Sequence, residues 1–222
     1  MRTKYLPFEV LYEDRDLIVI DKPAGLLATH THLAGRAARE SQATAENFLN
    51  DYVRKGQGKS RKRVWLMPRL DRETSGVMMF AKEERVAAAF RERWGEITEK
   101  TYLARVEGAL ADECGAFESY LAEDADGYRM RSVRDPRCGK LARTEWKRLA
   151  VERGTTLVEV KLKTGRKNQI RVHFSEAGHP VVGDVKYGGR KARRMFLHSL
   201  RFKFTHPLTG QAFEFESRGT MW

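Results

Sequence analysis

Cysteine is scarce in these 222 residues: Cys114 and Cys138 stand 24 positions apart with no C-x-x-C spacing. That count removes both a disulfide framework and a cysteine-based zinc site. Long apolar runs are missing too, and none approaches the roughly 18 consecutive residues that a membrane-spanning helix requires. The opening segment MRTKYLPFEV has a basic start but neither an apolar run nor a small-residue cleavage site, so a signal peptide is not expected. The six histidines, at 30, 32, 173, 179, 198 and 206, show no H-E-x-x-H spacing and no H-x-E with downstream cysteines. Hydrolytic and deaminating zinc centres therefore lack their ligands. A G-x-S-x-G nucleophile elbow is absent as well. With no internal repeat and no low-complexity linker, the expectation is one compact cytoplasmic domain over residues 1–222, a monomer with no membrane partner and no metal.

Positive charge is what the chain has in excess. Lys and Arg number 42 against 30 Asp and Glu, for a net +12. Residues 54–72 carry +7 and residues 161–203 carry +10, leaving −5 for the rest. A mildly acidic body with two basic segments has the footprint of a polyanion binder, because Lys and Arg contacts to phosphates release counterions. Acidic lipid would instead call for a basic amphipathic helix or a lipidation signal, and neither is present. Nucleic acid is the partner these charges favour.

The pattern of residues predicts many strands and few helices. Residues 8–20 read as a β-hairpin ended by Lys22-Pro23-Ala24-Gly25. Ala45, Phe48, Leu49, Tyr52 and Val53 fall at helical spacing behind Thr44 as N-cap. Residues 83–94 place Val86, Phe90 and Trp94 on one helical face, and a further helix is expected over 168–177, stopped by Gly178. Strands are expected at 64–67, 77–80, 101–107, 115–121, 128–133, 143–150, 155–163, 196–204 and 212–216. This is an α+β class with a largely antiparallel sheet. Gly58-Lys59-Ser60 imitates the end of a phosphate-binding loop, but the first glycine of that motif would fall on Val53, in a segment that reads as helix.

The sharpest local feature is Pro68-Arg69-Leu70-Asp71-Arg72-Glu73-Thr74-Ser75-Gly76, a carboxylate in a loop between two hydrophobic strands with arginines at 69 and 72. A partly buried aspartate needs cations or hydrogen bonds to keep its charge. Active-site loops share this profile with structural Asp-Arg turns.

Arg69-Leu70-Asp71 through Thr74-Ser75-Gly76 resembles the H-R-L-D-x-x-T-S-G signature of the RluA-type RNA pseudouridine synthases. Asp21-Lys22-Pro23-Ala24-Gly25-Leu26 is similar to that family's K-P-x-G-[LM] motif, and Lys100-Thr101-Tyr102-Leu103-Ala104 to its K-x-Y-x-A motif. The run from Leu162 to His173, with Gly178-His179-Pro180 and Gly183-Asp184, resembles the L-x-T-G-R-x-H-Q-I-R-V-H…G-H-P-I-x-G-D block. Phe196-Leu197-His198-Ser199 and His206-Pro207 match the closing element. The motifs stand in family order over residues 9–216. Two departures are visible: Pro68 replaces the family's histidine, and Lys167-Asn168 replaces Thr-His.

The resemblance implies an isomerase with no metal and no organic cofactor, acting on uridine in transfer RNA, in large-subunit ribosomal RNA, or in both. It implies a two-lobed fold around a mixed, mainly antiparallel sheet with a central RNA-binding cleft. An N-terminal S4-like domain is not expected, because only about eight residues precede the first motif. Asp71 takes the part of the catalytic carboxylate, either as nucleophile or as base at C2′. Arg171 becomes the cation that pairs with Asp71, against the alternative of a phosphate-facing arginine. Tyr102 becomes the ring that stacks on the target base, against the alternative of a core tyrosine. Arg69 resembles the residue that replaces a flipped nucleotide in the RNA stack. Leu197 would wall the pocket, against the alternative of a core leucine, while Lys22, Arg166 and the loop residues Lys59, Arg61, Lys62 and Arg63, with the run 190–194, would contact phosphates. Two rival readings are a non-catalytic RNA-binding or ribosome-assembly protein on the same scaffold, and a nucleotide-dependent enzyme built on Gly58-Lys59-Ser60.

Overall fold

The computed structural model describes residues 6–30, 35, 42–55, 57, 59–127 and 129–217. His32 and Gly58 lie outside the described residues. The chain forms two compact units, the first built from residues up to Thr98 and again from Arg201 onward, the second from Glu99–Leu200. Both crossings fall at or inside strands, β5 (Thr98–Glu107) and β10 (Leu197–Thr205), so no Pro- or Gly-rich linker marks them in the sequence.

In the first unit β1 (Glu9–Glu13) and β2 (Leu17–Lys22) make the expected antiparallel hairpin. The strand β2 also pairs with β4 (Ser75–Ala81), which takes the short β3 (Trp65–Leu66) at its side. All seven residues of β4 are buried, which is why the stretch Gly76–Ala81 is continuously apolar rather than alternating. Toward the C-terminus β11 (Ala212–Glu216) pairs antiparallel with residues 201–205 of β10. The helix α1 (Ala45–Arg54) starts at Thr44, whose hydroxyl accepts the Asn47 N–H at 3.0 Å, as the spacing predicts. Helix α2 (Glu84–Ile97) sets Val86, Ala87 and Phe90 against Leu17, Val19, Met79, Phe202 and Phe204. Full burial of a side chain such as Phe90 contributes about 1.5–3 kcal/mol. This helix runs three residues beyond the expected 94 and passes directly into β5, with the Thr98 hydroxyl donating to the Trp94 carbonyl at 2.6 Å.

The second unit carries β5, β9 (Thr155–Leu162), β8 (Lys140–Glu152), β6 (Cys114–Glu123) and β7 (Met130–Val133), in that order and antiparallel at every step. Helix α3 (Gln169–Glu176) packs Val172 with Leu121, Met130, Ala142 and Tyr187. Its N-cap, Asn168, sits at φ 54°, a left-handed position that asparagine tolerates better than most residues. Gly178, at φ 82°, ends the helix region as expected. The class is α+β, with three α-helices among the described residues, and none is long and apolar enough to cross a membrane.

Candidate active site and nucleic-acid interface

Asp71 sits in the loop joining β3 to β4, half-buried, between the buried Leu70 and the exposed Arg72. Its carbonyl accepts the Thr74 N–H at 3.2 Å, closing a turn. The next peptide is tied to the K-P-x-G-L segment from three directions. The Arg72 carbonyl accepts Gly25 N–H at 2.9 Å and Lys22 Nζ at 3.1 Å, while Arg72 Nε donates to the Gly25 carbonyl at 3.0 Å. Gly25 holds φ 86°, a backbone conformation that L side chains rarely adopt.

Lys22 corrects an expectation. It is fully buried, and its ammonium donates to the carbonyls of Pro23 at 2.9 Å and Leu26 at 2.8 Å as well as to that of Arg72. A side chain enclosed in this way does not meet RNA phosphates. Its chemistry is that of an internal clamp on the loop carrying Asp71, since a buried charge must be satisfied by its neighbours. Arg69 and Pro68 are exposed beside it, so Arg69 stands clear of the core that holds Leu70. Lys59, Arg61, Lys62 and Arg63 are exposed as well, with the Arg63 guanidinium 5.3 Å from the centre of the Trp65 ring.

In the second unit Tyr102 lies in β5 opposite Val160 and is 7% exposed. Two residues earlier, burial pushes the Lys100 ammonium down to about 8. Leu197, at the start of β10, is buried. Arg166 is exposed, its Nε donating to the Leu141 carbonyl at 2.8 Å.

Arg171 projects from α3 and is mostly enclosed. Its Nε and Nη2 reach Asp184 Oδ2 and Oδ1 at 2.6 and 2.8 Å, and the guanidinium lies 4.9 Å from the Tyr187 ring centre. The charge accounting at Arg171 therefore includes Asp184, a residue that the sequence places in a motif without giving it a role. The Gly183-Asp184 pair in that motif was the available signal.

The same helix is pinned by a buried polar chain. His173 Nδ1 meets Thr144 Oγ1 at 2.8 Å and Nε2 meets Ser119 Oγ at 3.0 Å. Gln169 Nε2 donates to Thr144 Oγ1 at 2.9 Å, and Gln169 Oε1 accepts from the Thr164 hydroxyl and the Arg166 N–H. Burial pushes the His173 imidazole below its usual value, opposed by the charge of Glu176. Lys167 and Asn168, the departures from the family pattern, are absorbed locally: Lys167 pairs with Glu123 at 2.7 Å, and Asn168 accepts the Tyr187 hydroxyl at 3.1 Å. Among the described residues, no group of three His, Cys, Asp or Glu side chains could hold a metal ion.

Residues 16–176 match the family model described as RNA pseudouridylate synthase. The chain is 33% identical over 214 residues to the RNA pseudouridine synthase YhcT of Bacillus subtilis, covering 94% of this chain and 67% of that protein. It is also 33% identical to the dual-specificity RNA pseudouridine synthase RluA of Yersinia pestis, covering 93% and 97% of the two chains. The large-subunit pseudouridine synthase C of Pasteurella multocida is 32% identical, with 95% of this chain covering 64% of it. Human RNA pseudouridylate synthase domain-containing protein 1 shares the fold, at a TM-score of 0.72 and 24% identity over 96% of this chain and 84% of its own. The anchored Arg-Leu-Asp-Arg loop, the ordered motifs on both units and these likenesses converge on one assignment: the chain belongs to the RNA pseudouridylate synthase family, whose members are isomerases.

Proposed function

We propose that this enzyme converts uridines of transfer RNA, of large-subunit ribosomal RNA, or of both to pseudouridine, with Asp71 as the carboxylate acting at the ribose. The observation that carries this reading is the Asp71 loop itself. The backbone that follows this half-buried carboxylate is fixed at Arg72, whose carbonyl accepts the enclosed Lys22 ammonium and the Gly25 N–H and whose Nε donates back to the Gly25 carbonyl, an anchoring that preorganises the loop. The substrate range draws support from relatives, since one is named dual-specificity and others are named for transfer RNA or the large ribosomal subunit.

The reaction breaks the N1–C1′ bond, turns the uracil and forms a C5–C1′ bond; the C5 proton is then lost and a proton is taken up at N1. Atoms and electrons balance within the substrate, so neither an oxidant nor a group donor is required. An ionised carboxylate serves as nucleophile or as base at C2′. Tyr102 offers a ring to stack on the extruded base and a hydroxyl within the same residue for the C5 proton. Arg171 supplies positive charge whose direction is set by Asp184. Arg69, exposed next to the loop, fills the gap left in the RNA stack, and Leu197 offers an apolar wall. Arg166 and the 59–63 loop contribute phosphate contacts. The test is carbodiimide mapping of pseudouridine in unmodified transfer RNA and 23S ribosomal RNA transcripts after incubation with the enzyme. New pseudouridine in either, absent with Asp71→Asn, is expected; none in both would overturn the reading.

A further inference from the structure

The second unit contains a cavity of roughly 830 Å³ lined by Arg105, Glu152, Arg153, Val182, Arg190, Arg193 and Phe196. Successive residues of a strand point to opposite faces, and β5 pairs in unbroken register with β9 from Lys100 to Glu107. Arg105 is three residues from Tyr102, so it opens onto the sheet face opposite the one Tyr102 serves. The cavity is thus separate from the residues assigned above to the reacting base.

Its walls are built by close backbone packing. The Arg105 carbonyl accepts Val182 N–H at 2.9 Å, Arg105 N–H donates to the Phe196 carbonyl at 3.0 Å, and Phe196 N–H donates to the Val182 carbonyl at 2.9 Å. Gly183 allows this approach, because a Cβ there would lie 2.0 Å from the Arg194 carbonyl oxygen. The remaining wall is the β8–β9 turn, where Arg153 and Gly154 take φ values of 49° and 71°. Such a turn ordinarily carries Asn or Gly at its first position, and here it presents an arginine.

The charges are unequal. Arg105 is engaged by Glu152 at 3.7 Å and by the Thr155 hydroxyl, and Arg190 by Glu107 at 3.4 Å. Arg153 and Arg193 have no carboxylate partner among the described residues. The Arg193 guanidinium lies 5.9 Å from the centre of the Phe196 ring. Two uncompensated guanidiniums beside an aromatic face match a phosphate joined to a flat base: arginine forks grip phosphate oxygens, and aromatic rings stack bases whatever their identity. The volume also falls within the range of small-molecule sites, about 300–1,000 Å³.

We propose that this cavity is an accessory RNA subsite that takes one nucleotide of the substrate RNA away from the target uridine, its phosphate on Arg153 and Arg193 and its base against Phe196. The proposal rests on the RNA-modifying function inferred above and extends the RNA path to a second face of the enzyme. A nucleotide held there adds affinity and register without reading sequence.

The experiment measures binding of fluorescein-labelled bulk bacterial transfer RNA across 50–250 mM KCl. Wild type is compared with Arg153→Gln/Arg193→Gln and with a control of equal charge loss, Arg85→Gln/Arg91→Gln, on the exposed side of α2. The cavity pair is expected to weaken binding about tenfold at 100 mM salt and to shallow the salt slope by about 1, equivalent to a single phosphate, while the control shifts the dissociation constant less than twofold. Equal behaviour of the two pairs overturns the proposal. A second arm follows thermal stabilisation by 5′-UMP. Stabilisation lost in the cavity pair, with transfer RNA binding intact, would assign the cavity to free nucleotides and also overturn it. The result is separable from the catalytic reading: a wild type that binds RNA through the cavity but forms no pseudouridine would sink the proposed function and leave the subsite standing.

Discussion

Arg171 and Asp184 form a two-pronged ion pair inside the second unit, with the carboxylate side chain 1% exposed and the guanidinium 11%. Both charges are largely withdrawn from water, and both carboxylate oxygens are gripped by the guanidinium. The planar fork, flanked by the Tyr187 ring, cannot swing without stranding Asp184. The orientation of Arg171 is therefore a property of the fold and does not wait for RNA.

Breaking that pair should be costly. Arg171→Met leaves a buried, uncompensated carboxylate and is expected to destabilise the protein by about 3–5 kcal/mol. Adding Asp184→Leu should recover much of the loss, because removing both charges also removes their desolvation. Arg171→Lys keeps the charge but loses the fork and should fall between wild type and Met. Urea denaturation in a double-mutant cycle measures the coupling; strictly additive effects would show that the two residues do not support one another.

At Asp71 the expectation is a separation of chemistry from binding. Asn is nearly isosteric but cannot carry charge, so Asp71→Asn should abolish pseudouridine formation and leave RNA affinity within a few-fold. Multiple-turnover activity in the variant would remove Asp71 from the mechanism.

Lys22→Met tests the clamp. Three backbone carbonyls lose a buried donor, although that of Arg72 keeps the Gly25 N–H, and the expected loss is about 1–3 kcal/mol. Activity should fall further than the folded fraction does, because the Arg72 carbonyl next to Asp71 is among the three. Full specific activity of the remaining folded enzyme would show that the clamp serves stability alone.

His173 makes a pH prediction with a definite sign. Its folded-state value is lowered by burial, so the unfolded chain takes up the proton first as pH falls through about 6.5. Over that window the unfolded state binds more protons, and stability falls as pH falls. Above about 7.5 both states are neutral and the contribution is fully present. In denaturation curves at about pH 7.5 and about pH 5.5, on either side of the ordinary histidine value, wild type should lose more stability than His173→Gln. Identical losses would place the acid sensitivity elsewhere.

The exposed loop makes an electrostatic prediction. Neutralising Lys59, Arg61, Lys62 and Arg63 together should weaken RNA binding and shallow its salt dependence, by about 0.7–0.9 in slope for each phosphate no longer neutralised. A quadruple variant with the wild-type slope would mean that these side chains face only solvent.

Much of this molecule was legible in the residue pattern. The hairpin of β1 and β2, the Thr44-capped helix and the Phe90 face of α2 follow from local periodicity, which depends on neighbours three, four or two residues away. The Asp71 loop and the other motifs were legible for a related reason, since contiguous residues carry each of them. Exposure was not legible. Lys22 reads as a surface cation in any linear account, because burying an ammonium is unfavourable until three carbonyls converge on it, one of them fifty residues distant. That Asp184 pairs with Arg171 was hidden likewise, since it stands thirteen residues along on a separate turn. Two lobes are implied by the family resemblance, but where the chain passes from one to the other was hidden, because the crossings run along continuous strands and leave no linker composition. Sequence by itself determined the elements, the positive charge that suits a polyanion and the identity of the motif carboxylate. Only the tertiary structure decided which cations meet solvent and which serve as internal struts, because desolvation and ion pairing depend on groups that the chain brings together from far apart.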